Sequence, residues 1–496
     1  MPKLQVDEFP IDQASYPRHR CNPKAPASIV DLPFELLIDI FNLVYAHSII
    51  GLRRARKDDP HNLWKEHTLS DPSLFPFNVA GVCLAWKRVA SGVPAFWTRV
   101  VSFVDDDWEA VTVREQLEWS KGLPFRVTLT RRDDTKGAVH MQEAQRVKVA
   151  MQALGSHLER CVELNVHVAQ SSSLPSVIGD IAGSAPLLMN LRLRSTEDDG
   201  RRWHIDRRNQ HSQERETRIR GDLDIDGWNL LSACVSDAQR LRGFKRLCVT
   251  NYRAALRGGQ TFPMDVFIHA IAQLTDLRAI QVEHVDFSSI PRDSWPTVSF
   301  PTSLTSLSLK GLSSEALEGL FGAVSYNPLD SLRIEKCSFT RINGVSIPSS
   351  ETLELRGIVD TTSDLQGLFC AWNGTLLTIA NSSLLLGGFV QVLGTQDMAR
   401  PETPFSCNRL RQLFIAGSPI FDVDALKDMV AHRNMQFLTY DDANRVIFPG
   451  DFQIDGVFIR EIHVADCGDE PAQEDTDWLK AHLPRFSWSL GKDWIY

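Results

Sequence analysis

The sequence predicts an α+β/α/β chain in two parts: a helical N-terminal unit, then an irregular solenoid of short parallel strands and helices. Three observations carry this. Leu32–Val44 and Phe77–Gly92 set apolar residues at helical spacing. Beyond residue 150 a fixed order recurs: apolar residue, two others, apolar residue, one other, apolar residue. With 496 residues, the chain exceeds what one core usually organises.

Residues 1–28 hold Pro17, Pro23 and Pro26 with little apolar matter, which predicts a flexible arm. No apolar run follows Lys3, so no secretory leader is expected. Helical order should start near Ile29. Pro33 suits a first turn, where its missing donor costs nothing, and Glu35 favours the positive end of the helix dipole. Laid at 100° per residue, Leu36, Leu37, Ile40, Phe41 and Val44 share one side, and Ile38 and Leu43 flank it. A helix covered on one side needs an apolar stripe over only about a third of its circumference. This one is wider.

A second helix is expected over Phe77–Gly92, with Val79, Val82, Cys83, Trp86, Val89 and Ala90 on one side and Gly92 as its stop. Pro94, Phe96 and Trp97 follow, then the strand-like "VVSFV". Between the two helices, His47–Pro76 carries Arg53, Arg54, Arg56, Lys57, Asp58 and Asp59, which predicts a solvated loop.

Leu32-Pro33, Glu35-Leu36-Leu37 and Ile40-Phe41, followed by Val82-Cys83, Trp86 and Pro94-x-x-Trp97, resemble an F-box over residues 29–104. The interrupted charged stretch 47–76 is longer than that family's compact unit needs. The resemblance implies a helical trap for a Skp-type adaptor, which links it to a cullin-RING (SCF-type) ubiquitin ligase. On that analogy Leu32, Pro33, Leu36, Leu37, Ile40, Phe41, Val82, Cys83, Trp86 and Trp97 form the adaptor-binding set. Trp86 and Trp97 remain open between interface anchors and internal core, because large aromatics serve both. Residues 105–150 form a connecting segment. Within it "REQLEWSKGLPFRVTLTRR" looks like the stretch after the F-box in the group expanded in mushroom-forming fungi.

The recurring pattern falls at Leu188/Leu191/Leu193, Phe244/Leu247/Val249, Leu277/Ile280/Val282, Leu304/Leu307/Leu309, Leu329/Leu332/Ile334 and Leu410/Leu413/Ile415. Leu353/Leu355 is a partial copy, and Cys161/Leu164/Val166 a degenerate first one. Middle residues 280, 307, 332 and 353 are 27, 25 and 21 apart. Such periods resemble leucine-rich repeats, each a short strand with a returning helix. Ser313–Val324 and Val423–Arg433 read as two of those helices, each with a capping residue at its start. A leucine-rich-repeat-like domain over 151–440 would expose a strand face as the usual place for a partner.

Arg201–Gly221 holds seven arginines against three acids and predicts a protruding loop. With Trp203 its only aromatic, stacking support for RNA is thin. "DLDIDGWNLLSA", from Asp222, begins like a calcium loop. Its twelfth position is Ala233 where a bidentate glutamate is needed, so a strand and turn with wet aspartates is expected instead. Ala465–Trp478, with six acids and no base, predicts an exposed loop before a C-terminal cap over 441–496.

Nine scattered cysteines without a Cys-x-x-Cys pair suit a reducing compartment, so a cytoplasmic or nuclear location is expected. No run reaches the roughly 18 apolar residues of a membrane span. The net charge of −9 argues against a nucleic-acid partner. No catalytic, metal or cofactor motif is present. The expected function is a substrate-recognition subunit, not an enzyme and without cofactors. It would hold an adaptor through the N-terminal unit and a target through the repeats. The alternative is an interaction scaffold of leucine-rich-repeat type outside ubiquitin transfer.

Overall fold

In a computed structural model the chain divides into two units, Met1–Phe96 and Trp97–Tyr496. The structure describes residues 32–58, 75–104, 110–131, 140–181, 185–200, 221–237, 243–295, 298–342, 344–361, 364–369, 372–394, 407–418, 421–434, 439–440, 446–447, 458–468 and 470–489. The expected arm 1–28 and most of the arginine-rich 201–221 segment lie outside them.

Three helices build the first unit: α1 (Phe34–Asp58), α2 (Phe77–Ala80) and α3 (Leu84–Ser91). α1 runs through the segment expected to be a loop, as far as Asp58. Arg53, Arg54, Ala55, Arg56 and Lys57 are good helix formers, and their charges suit a C-terminal end. Residues 59–74 of that segment are outside the described set. The single helix expected over Phe77–Gly92 is instead two. Gly81 closes the first, and Cys83 takes an extended backbone (φ −162°, ψ 166°) as the cap of the second.

The core of this unit is aromatic. Phe41 meets Trp86 edge-on at 5.1 Å, and Phe75 meets Phe96 edge-on at 4.7 Å. Tyr45 packs against both Phe75 and Phe96, and its hydroxyl donates to the Ala95 carbonyl at 3.0 Å.

The second unit holds one open sheet of 14 parallel strands: β1 (Arg99–Phe103), β2 (Phe125–Thr130), β3 (Cys161–Gln170), β4 (Asn190–Glu197), β5 (Gly221–Asp226), β6 (Phe244–Tyr252) and β7 (Ala279–Val285), then β8 (Ser306–Lys310), β9 (Leu329–Glu335), β10 (Ser350–Arg356), β11 (Leu376–Ala380), β12 (Gln412–Ala416), β13 (Glu461–Ala465) and β14 (Arg485–Ser489). Each strand pairs with the one before and after it in the chain. Helices α4 (Ala110–Trp119), α5 (His140–Gly155), α6 (Gly227–Asp237), α7 (Met264–Ala272), α8 (Ser314–Ala323), α9 (Leu365–Phe369), α10 (Ser383–Gly394), α11 (Val423–Asn434) and α12 (Gln473–His482) lie among the connections. From α9 to α12 each helix packs against the next.

Register explains the sequence pattern. One row across all the strands reads Val100, Val127, Leu164, Leu191, Leu223, Leu247, Ile280, Leu307, Leu332, Leu353, Leu377, Leu413, Ile462 and Phe486. The middle residues of the recurring pattern therefore stand side by side. The row two residues on, from Leu129 to Trp488 through Leu309 and Ile379, turns to the same side. From Val127 to Val464 nearly all of both rows is buried in one core with Leu317, Leu320, Phe389 and Leu426 of the helices. Alternate residues face away from the helices and are mostly polar.

A second regularity follows each strand. Asn251, His284, Gly311, Lys336, Gly357, Asn381, Gly417 and Asp466 occupy equivalent positions in eight successive strands, and all have φ between 51° and 62°. At Gly417 a Cβ would lie 2.1 Å from Asn381 Oδ1, so a side chain there would have to displace that amide. One residue on, small buried polar groups stitch neighbours together. Cys337 Sγ accepts from the Leu312 N–H, Ser382 Oγ from Ile358, and Cys467 Sγ from Ser418. Every described cysteine is a free thiol.

Several boundaries move. The sheet starts at Arg99, so "VVSFV", grouped in expectation with the N-terminal unit, and part of the expected connecting segment are its first two strands. The expected cap contributes β13, α12 and β14 to the same sheet. The acidic loop is partly α12, with Glu474 and Asp475 in its first turn, where the helix dipole favours carboxylates. After β5 comes α6 rather than a simple turn, and its aspartates are not wet: Asp226 is fully buried and Asp224 is 8 % exposed.

Candidate functional site

α1 has two apolar faces, which explains its wide stripe. Leu37 and Phe41 point inward at 4 % and 0 % exposure. Leu36, Ile40, Leu43 and Val44 are exposed, Leu43 to 72 %. Phe34, Val82 and Leu84 are exposed as well. Of the residues that the sequence resemblance singled out, Leu36, Ile40 and Val82 are thus open apolar side chains, and so is Pro33. Leu32 and Cys83 are half-buried. Leu37, Phe41, Trp86 and Trp97 are core, and Trp97 stacks edge-on with Trp119 of α4 at 4.4 Å. Among the described residues the Trp86 indole N–H has no acceptor. The sequence reasoning noted Leu43 only as a flank and did not single out Leu84 or Phe34.

The helix-free face of the sheet is the second surface. Its middle row runs Val101, Thr128, Asn165, Arg192, Asp224, Cys248, Gln281, Ser308, Arg333, Glu354, Thr378, Phe414, His463 and Ser487. Thr128, Asn165, Asp224 and Cys248 are buried, whereas Gln281 onward is half-exposed apart from Thr378. Burial lifts the Asp224 carboxyl above its ordinary range, against the pull of Arg194, whose Nε is 2.7 Å away.

Across β8–β10 charges alternate. Lys310 Nζ lies 3.3 Å from Glu335, Arg333 bridges Glu335 at 2.7 Å and Glu354 at 3.6 Å, and Arg356 closes on Glu354. Despite desolvation, Arg333 and Lys310 hold the Glu335 carboxyl below its usual range. In this zipper three cations share two carboxylates.

At β12–β14 the face changes character. Phe414 stacks on the His463 ring at 4.7 Å with an interplanar angle of 19°. His463 Nδ1 is 2.5 Å from Ser487 Oγ, and Nε2 is 2.6 Å from Glu461 Oε1. Gln412 donates to the other Glu461 oxygen at 2.7 Å. Despite desolvation, hydrogen bonds from His463 and Gln412 keep the Glu461 carboxyl below its usual range. Sequence reasoning missed this group. Its only signal was the period-2 alternation of "EIHVA" and "RFSWS".

Strand order never reverses, so this sheet lacks the switch point at which open parallel sheets commonly take nucleotides. No group of three or more potential metal-ligating side chains occurs among the described residues. No described helix is long and apolar enough to cross a membrane. Fold and site define a parallel-sheet chain with one polar sheet face and a small helical unit carrying exposed apolar side chains. Set beside known proteins, the chain matches no family model and no curated protein.

Proposed function

We propose that this chain is the substrate-receptor subunit of an SCF-type ubiquitin ligase. On this reading residues 32–96 are an F-box that binds a Skp-type adaptor, and the sheet-bearing unit is an irregular leucine-rich-repeat-like array that holds the target. Chemistry would occur on the partner enzyme, and the receptor acts by proximity. The observation that carries the reading is the outer face of α1. Leu36, Ile40, Leu43 and Val44 remain in water although the same helix already fills its own core with Leu37 and Phe41.

Burying one such side chain contributes roughly 1.5–3 kcal/mol, so several together can offset the cost of association. The half-exposed polar face from Gln281 to Ser487 is the place for a target.

The test is binding of a purified Skp-type adaptor to the full chain, compared with Leu36→Ala/Leu43→Ala. Both side chains are exposed, so the variant keeps its fold, which circular dichroism checks. Micromolar or tighter binding, weakened at least tenfold in the variant, supports the reading. Absence of binding by the folded wild-type chain rejects it.

A further inference from the structure

We propose that Ser487, His463 and Glu461 form a nucleophilic centre on the polar sheet face that reacts with carboxylic esters. The inference is independent of the adaptor reading and rests on β13 and β14 alone. Ser487 and His463 are direct cross-strand partners in register, and Glu461, two residues before His463, faces the same way. Glu461 can only accept from a donor when ionised, so it fixes the imidazole proton on Nε2 at 2.6 Å. That leaves the Nδ1 lone pair to accept the Ser487 hydroxyl at 2.5 Å.

Nucleophile, base and orienting carboxylate are thus joined in one line, the arrangement that lets a serine lose its proton as it attacks. Gln412 and the stacked Phe414 hold the carboxylate and the ring in place. All three groups are partly open to solvent. Arg485 precedes Ser487 by two residues on the same face, and its guanidinium lies 4.0 Å from Glu461, which favours the ionised carboxylate.

In the step proposed, Ser487 Oγ bonds to the acyl carbon while its proton passes to His463 Nδ1. The imidazolium returns that proton to the departing alkoxide, which leaves as the alcohol. Water, deprotonated by the same nitrogen, then releases the carboxylic acid and regenerates the serine. Glu461 is a positioning residue that keeps the ring in the accepting tautomer.

The probe is a fluorophosphonate, which phosphonylates an activated serine with loss of fluoride. It is applied to the full-length chain, and the labelled residue is located by peptide mass spectrometry. Labelling at Ser487 is expected, abolished in Ser487→Ala and slowed about 100-fold in His463→Gln. Glu461→Gln should slow labelling, and Glu461→Asp, which restores a carboxylate, should recover part of the rate. A purely structural hydrogen-bond ladder would leave the labelling rate alike in the two variants. Ser487→Ala removes one half-exposed hydroxyl, so an unchanged melting curve is expected beside the lost label. No label on Ser487, or equal labelling in His463→Gln, overturns the proposal.

Discussion

At the scale of residues, the most consequential charges are buried where β4, β5 and β6 end. Asp198 accepts from Arg257 Nη2 at 2.6 Å and Nε at 3.1 Å, and from the Arg253 N–H at 2.8 Å. The Arg257 guanidinium also lies over Trp228 and Tyr252, at 5.1 and 4.8 Å. Asp226 caps α6 through the Asn229 N–H, yet it has no exposed surface, and burial pushes its carboxyl from 3.8 up to about 7. An acid whose folded pKa exceeds its unfolded one stabilises the protein fully below the unfolded value. That contribution is lost as pH rises toward the folded value. Stability should therefore fall by on the order of a few kcal/mol between about pH 4 and pH 7 on account of this group. Asp226→Asn, which retains the cap, should flatten that slope in urea titrations across this range. An unchanged slope would mean that Asp226 is ionised throughout. None of this was legible in the sequence, where "DLDID" reads as alternating wet acids, because Asp226 is buried at the turn into α6 and Asp224 by Arg194 and Cys248 of the neighbouring strands.

At the scale of elements, the strands were the most legible part. The three-residue apolar spacing marked β3, β4, β6 to β10 and β12, since both buried rows of the sheet and the turn before them demand it. Ile459/Ile462/Val464 and Leu483/Phe486/Trp488 carry the same spacing, so β13 and β14 were readable too. β11 was hidden because Gly374 stands where the first apolar residue belongs. A Cβ there would lie 2.1 Å from the Ser350 carbonyl oxygen. Helices were readable where capped: Ser313 Oγ accepts the Ala316 N–H at 3.3 Å, and Asp422 accepts from Asp424 and Ala425. Ser313→Ala should cost about 1 kcal/mol, measured as a shift in denaturation midpoint. The wide stripe of α1 marked two apolar faces, of which one is buried and the other exposed. Which residues serve which face depended on the packing of Phe41 against Trp86, and sequence could not assign that.

At the scale of the molecule, each strand bonds only to its chain neighbours, so the sheet has no long-range closure to break. Stability in such an arrangement is a sum of local terms. Deleting residues 470–496, and with them α12 and β14, should expose the Ile462 and Val464 edge. It should lower the melting temperature yet leave the preceding strands folded, with the far-UV dichroism of a mixed α/β chain. Complete unfolding of that truncation would show that the last strand is a required clamp.

The unreversed strand order has a further consequence during synthesis. In the 14-stranded sheet every strand after the first pairs with the strand of that sheet made just before it. No early strand waits for a late one. Such a chain can lay down its sheet in the order in which it leaves the ribosome, starting from Arg99 and holding one growing edge at any moment.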